Sequence, residues 1–302
     1  MTVDEAWQVD AEVAAALRQG RSVVALESAF LTHGLPRPWN WQTALAMLQA
    51  VRAAGSVPAL LAVWQGKLHV GLDSTTLESL AHSWEVCKAS RRDLPVCLEQ
   101  RRHAGLTVAA SLFVAAQVGI RVLATGGIGG VRRLRTTTWD VSADVWELTR
   151  QPVAVVCSGA KSLMDAAATR ELLDTLSIPV FGWATQEWPA FVLASSGYPV
   201  LANTHDPEEL AKWLRRHWQL GGQGAIVAVA PPMPLDPTEH EAALTQAERE
   251  AVEQGIRGSD WTPFILQRLA ELTHGRSLEA NRALLIHNAQ RASELAQALS
   301  RC

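Results

Sequence analysis

The sequence predicts an α/β protein: a three-layer α/β/α arrangement with a mainly parallel central sheet and a helical C-terminal region. Short β-type apolar runs alternate with helix-length amphipathic stretches from residue 22 to about 230. Such alternation belongs to parallel sheets whose two faces are both covered by helices. Beyond the proline-rich break Pro231-Pro232-Met233-Pro234, the chain carries the longer helical period to its end. No low-complexity linker or internal repeat interrupts the 302 residues, so one domain over 1–302 is expected.

In chain order the strands are expected at VVALESAF, VPALLAVW, KLHVG, VLATGG, VAVVCSG, PVFGWAT and AIVAVAPP, each a short run of the aliphatic and β-branched residues that suit a buried strand. Helical periodicity falls between them, over 41–54, 94–100, 111–119, 142–150 and 163–176. After the proline break, helices are expected over 238–254, 262–272 and 277–299, packed on the α/β body.

A composition of 48% hydrophobic and 19% charged residues, with mean hydropathy +0.04, is that of an ordinary globular chain. A net charge of -3 supplies no basic field for a nucleic acid polymer. The longest apolar runs fall well short of the ~20 residues a membrane-spanning helix needs, so no membrane partner is expected. Residues 1–10 carry acids where a signal peptide carries bases, which points to a cytoplasmic protein. The cysteines Cys87, Cys97, Cys157 and Cys302 show no CxxC spacing, so they are read as reduced: three in the core and Cys302 in the tail. The 12 tryptophans are scattered and are read as core or interface residues.

Of 27 basic residues only Lys67, Lys88, Lys161 and Lys212 are lysines. Where arginine is preferred for charge, a surviving lysine is a candidate for chemistry that needs a deprotonated amine. Lys212 lies in the helical stretch AKWLRRHW and Lys67 at a hairpin turn in WQGKLHVG, which leaves Lys88 and Lys161.

Ligands of open parallel sheets gather at the carboxyl ends of strands, so the residues after each strand matter most. In VVALESAFLTHG, Glu27 ends an apolar run, either as a carboxylic acid of raised pKa fit for general acid work or as a loop-capping glutamate. Nearby His33 reads as loop packing. In VCKASRRDLP, Lys88, Arg91 and Arg92 make either a phosphate clamp or a solvated turn. VLATGGIGGVRR runs a strand into glycines that let backbone N–H groups approach a phosphate, with Thr125 adding a hydroxyl; it lacks dinucleotide-fingerprint spacing. Downstream, Asp140, Ser142 and Asp144 suit oxygen ligation of a hard cation or, equally, a helix N-cap with acids in its first turn. In VAVVCSGAKSLMD, Lys161 follows small residues at a helix entrance, suiting either Schiff-base formation or phosphate binding.

Taken together, ALES, HGLPRP, KASRRDLP, TGGIGGV, DVSAD, CSGAKS, PAF and TPF resemble, from about residue 23 to 296, the pseudouridine-5'-phosphate glycosidase family, also called indigoidine-synthase-A-like. The resemblance implies reversible cleavage of pseudouridine 5'-phosphate to uracil and ribose 5-phosphate, by a lyase with a divalent metal, usually Mn²⁺, and commonly a homotrimer. It implies Lys161 as the nucleophile on the anomeric carbon and Glu27 as proton donor to the uracil carbon. Lys88, Val108, Ser142, Ala143 and Asp144 match substrate-contacting positions. Thr125 and Asn281 occupy further pocket positions, and Asp140 matches the metal ligand. Arg132 stands where GGVHRG-type members have histidine, and can hold phosphate bidentately. Leu134-Arg135-Thr136, Ala194 and Pro231 also depart from the family words. Two alternatives are a C-glycosyl enzyme with another aglycone on ribose 5-phosphate, and a non-catalytic sugar-phosphate binder.

Overall fold

In chain order, the computed structural model builds β1 (Trp7–Val9), α1 (Ala11–Arg18), β2 (Val23–Leu26), α2 (Trp39–Ala53), β3 (Val57–Trp64), β4 (Lys67–Val70), α3 (Ser74–His82), β5 (Val86–Ala89), α4 (Leu94–Glu99), β6 (His103–Leu106), α5 (Val108–Val118) and β7 (Val122–Ala124). The chain continues through α6 (Ala143–Leu148), β8 (Ala154–Cys157), α7 (Ala166–Thr175), β9 (Val180–Trp183), β10 (Ala202–Thr204), α8 (Pro207–Gln219), β11 (Ala225–Val229), α9 (Pro237–Glu253), α10 (Trp261–Leu272) and α11 (Arg276–Arg301). The structure describes residues 6–133, 140–256 and 261–301, and nothing of the side chain of residue 263. The stretch 134–139 and Cys302 therefore lie outside the described residues.

The central strands lie in the order β3-β2-β7-β8-β11-β9-β10, every neighbouring pair parallel. Their sequences read as unbroken aliphatic runs because both faces are covered. In β8, Val155 and Cys157 enter a core shared with Val13 of α1, Leu112 of α5, Val145 of α6 and Leu173 of α7. Ala154 and Val156 enter another, shared with Met47 of α2, Leu210 of α8 and Leu284 of α11. Successive side chains of one strand thus feed two helical layers, and the three-layer α/β/α reading holds. A third, smaller cluster seats Leu163 against Leu244 of α9 and Ile265 of α10.

β3 has two jobs. Its first half pairs with β2, while Leu61 to Trp64 pair antiparallel with β4 across the Gln65-Gly66 hairpin, and Ala62 and Val63 pair antiparallel with β6. This adds a mixed edge, with β1 on β4 and β5 on β6. The short β1, β6 and β10 carry too few residues to announce a period. The expected run VVALESAF stops as a strand at Leu26; Phe30–Gly34 form one wide, π-type turn instead.

Helix starts follow local chemistry. Thr107 accepts from the Ala110 amide at α5, Asp165 from Ala168 at α7, and Asp236 from Glu239 at α9, where Pro237 occupies the first turn. Gly119 closes α5 with φ 86°, a left-handed cap that glycine adopts without strain. Cys87, Cys97 and Cys157 are free thiols, and burial pushes the Cys157 thiol up to about 12. Trp84 lies outside the core, 88% exposed, and carries Arg37 over its ring. Among the described residues, no helix is long and apolar enough to cross a membrane.

Candidate active site

Three neighbouring strands of the parallel sheet, β2, β7 and β8, end in Glu27, Thr125 and the loop to Lys161. Chain order scatters these residues, and strand order gathers them. Glu27, Thr125, Lys88, Lys161 and Asn281 all line one small inner cavity of about 50 Å³. Lys88 and Lys161 also line the much larger cavity beside it, about 1220 Å³, which Arg132, Asp140, Ser142, Ala143 and Asp144 share. The two lysines therefore stand where the inner pocket meets the outer one.

Glu27 is 2% exposed. Its Oε2 accepts from the Phe30 amide at 3.1 Å, supplied by the wide turn, and its Oε1 accepts from the Thr125 hydroxyl at 3.2 Å. Removal from water raises its pKa; the positive charge of Lys161 and these hydrogen bonds oppose the rise without cancelling it. A buried carboxyl held partly against ionisation is the property a proton donor needs.

Lys88 lies within β5, paired with Gly105 of β6, rather than after the strand as expected. Its ammonium is reachable from the outer cavity yet walled by protein, so partial loss of water, and then the charge of Lys161, lower its pKa. Gly105 cannot be larger: a Cβ there would sit 2.1 Å from the Thr32 hydroxyl.

Lys161 is not at a helix entrance. α7 begins at Ala166, so no helix N-terminus acts on the amine. The backbone fixes it instead: the Lys161 amide donates to Ile128 O at 2.9 Å, and the Met164 amide donates to Lys161 O at 2.8 Å. Gly159 makes this path possible, at φ 85° with the Pro189 carbonyl where a Cβ would stand. Among the described residues, neither lysine has an ion-pair partner.

The glycine-rich loop is partly engaged within the fold, while Gly126, Gly127, Gly129 and Gly130 line the two cavities. The Gly129 amide is taken by Asp144 Oδ2 at 2.8 Å, and the Ile128 amide by Gly159 O at 3.0 Å. A Cβ on Gly130 would meet the Thr169 hydroxyl at 2.3 Å. These glycines let loops and α7 pack tightly. Asp144 Oδ1 accepts from the Ala109 amide at 2.8 Å, so this buried carboxylate clamps α5 to the loop. Ser142 caps α6, accepting from the Asp144 amide at 3.2 Å, as the N-cap alternative required.

Val108, buried in the first turn of α5, lines neither cavity; the capping Thr107 lines the outer one. Asp140 is paired with Arg132, Nη1 to Oδ2 2.8 Å. A guanidinium offers a metal no lone pair. Among the described residues no three His, Cys, Asp or Glu side chains gather as a metal site. Asp140 thus stands as a single carboxylate whose Oδ2 already accepts from a guanidinium.

Asn288 was missed in the sequence. Fully buried on α11, its Nδ2 donates to Thr125 O at 2.9 Å and it exchanges hydrogen bonds with Ser158, tying the ends of β7 and β8 together. A lone amide amid Leu284, Leu285 and Ala292 was the available signal. Leu266, on the inner wall, was also unmarked, and Phe191 entered only within the word PAF.

With this geometry in place, the relatives are informative. The family model for "indigoidine synthase A like protein" matches residues 12–298. The chain belongs to the indigoidine synthase A-like family. Family members named pseudouridine-5'-phosphate glycosidase include one from Herpetosiphon aurantiacus, 47% identical over 95% of this chain and 96% of its own length. Another, from Alkaliphilus metalliredigens, is 44% identical over 96% and 95%. Among solved structures, a prealnumycin C-glycosynthase in complex with ribulose 5-phosphate superposes with TM-score 0.91 at 34% identity, covering 99% of this chain and 98% of its own. An indigoidine synthase A-like protein from Thermotoga maritima superposes with TM-score 0.88 at 32% identity, over 98% and 97%.

Proposed function

We propose that this chain cleaves the C–C glycosidic bond of pseudouridine 5'-phosphate reversibly to uracil and ribose 5-phosphate, through a lysine adduct of ring-opened ribose. One observation carries the reading: the protonatable acid Glu27 and the amine Lys161 line the same pocket at the carboxyl edge of the sheet. The names of the close relatives, and the sugar phosphate bound by the C-glycosynthase, point the same way.

A C-glycosidic carbon has no lone pair to protonate, unlike the oxygen of an ordinary glycoside. The Lys161 amine attacks the anomeric carbon and breaks its bond to the ring oxygen, which takes a proton from the attacking nitrogen as the chain opens. The nitrogen lone pair then forms an iminium while the bond to uracil breaks, and Glu27 delivers its proton to the released ring carbon. Water hydrolyses the iminium to the ribose aldehyde and restores Lys161. Lys88 and the outer arginines hold the phosphate.

Lys161→Ala is expected to abolish uracil release, followed by ultraviolet absorbance, while circular dichroism stays unchanged. Borohydride should trap wild-type protein, but not the variant, on ribose 5-phosphate. Retained turnover in the variant rejects the adduct.

A second reading is favoured by a third cavity of about 600 Å³, which shares His33, Phe191, Leu266 and Asn281 with the inner pocket and is walled by Leu35, Val192 and Leu269. Such apolar space suits an aglycone bulkier than uracil. A protein that traps ribose 5-phosphate yet leaves pseudouridine 5'-phosphate untouched obeys this reading.

A further inference from the structure

We propose that Arg132 stands at Asp140 in place of a divalent cation, so that the outer cavity meets its anionic ligand with a built-in guanidinium. The proposal adopts the sugar-phosphate reading for the identity of that anion; the exclusion of metal stands on the side chains alone.

A hard cation such as Mn²⁺ needs at least one free carboxylate, its remaining positions being filled by water or phosphate oxygens. Among the described residues the outer cavity offers three acids, Asp140, Asp144 and Glu147. Both oxygens of Asp144 are occupied by backbone amides, of Ala109 and Gly129. Glu147 accepts from Arg91 at 2.8 Å, Gln151 at 3.0 Å and Arg150 at 3.3 Å. Asp140 accepts from Arg132. Each of the three acids described on this wall thus has a partner of its own.

Among the described residues the same wall carries six cations, Lys88, Arg91, Arg92, Arg132, Arg150 and Lys161, against those three acids. A free metal ion entering here meets like charge, and at Asp140 it meets a carboxylate whose Oδ2 already accepts from a guanidinium. That guanidinium is well held. Arg132 is 16% exposed at the side chain and lies 4.2 Å above the Trp261 ring centroid. Its amide donates to Asp140 O at 3.1 Å, and Val131 bridges Val141 in the adjacent pair, so the backbone sets both side chains opposite one another. The intervening LRTTTW, 134–139, brings no carboxylate, imidazole or thiol. Arginine keeps its charge at every working pH and presents a fork to phosphate oxygens.

The test is titration of the full chain with Mn²⁺, the free ion followed by electron paramagnetic resonance. Wild type and Asp140→Asn should both bind no tighter than millimolar, while Arg132→Ala should bind one ion at least about tenfold more tightly, a gain that Arg132→Ala/Asp140→Asn loses. Arg132→Gln serves equally if the alanine variant misfolds. Uracil release should survive dialysis against EDTA. Stoichiometric micromolar Mn²⁺ binding by wild type, lost in Asp140→Asn, overturns the proposal whatever the uracil assay gives. Absence of both metal binding and uracil release upholds it and rejects the functional reading instead.

Discussion

On the proposed reaction Glu27 concentrates the chemistry, because its protonation is set by burial against a neighbouring amine. Proton delivery needs the acid form, so the rate should stay level below the raised pKa and fall as pH climbs through it, at values above the usual carboxylate range. Glu27→Gln should lower kcat by about 10²–10⁴ and erase that alkaline limb, with little change in KM. Thr125→Val offers a signed control. The Thr125 hydroxyl lowers the Glu27 pKa, so its loss should move the limb to higher pH. Profiles of kcat against pH for the three proteins decide it; a limb untouched in Glu27→Gln assigns the proton elsewhere.

At the scale of elements, α11 does more than cover the sheet. Asn288 reaches from this helix to the loops after β7 and β8, which carry Thr125 and lead to Lys161. Asn288→Ala leaves the buried Ser158 hydroxyl and Thr125 carbonyl without their amide partner, at an expected cost of about 1–3 kcal/mol in denaturant unfolding. A kcat loss larger than the KM change should accompany it, since the loops rather than the ligand lose their support. Unchanged stability and kcat count against the role. This element also marks where sequence reading reaches its limit. Glu27, Thr125 and Lys161 were legible because buried parallel strands are unbroken aliphatic runs, and the residues just beyond such a run lie at the ligand edge. Asn288 was not, because its partners are brought to it by packing. The glycines of TGGIGGV were visible, but their neighbours Ser142 and Thr169 belong to other segments, so the close packing that requires glycine at 129 and 130 could not be read from local pattern. β6, four residues long with two of them Ala and Gly, has no period to read.

For the whole molecule, charge is distributed against its own total. The chain carries a net -3, yet among the described residues six cations face three acids in the outer cavity. The field at the site is therefore opposite in sign to that of the protein as a body, and a cleft with low-dielectric walls focuses it on an entering anion. The phosphate is the part of the nucleotide that feels it. Screening tightens from about 30 Å at 0.01 M salt to about 3 Å at 1 M, so KM for pseudouridine 5'-phosphate should rise severalfold over that range. The step at carbon lies in the buried inner pocket, where salt does not penetrate, and kcat should hardly move. Arg92→Ala, which removes an exposed cation of the wall, should flatten the salt dependence and leave the Glu27 limb in place. A KM indifferent to salt in the wild type means that the phosphate is held by neutral hydrogen bonds, and that the cationic wall serves some other end.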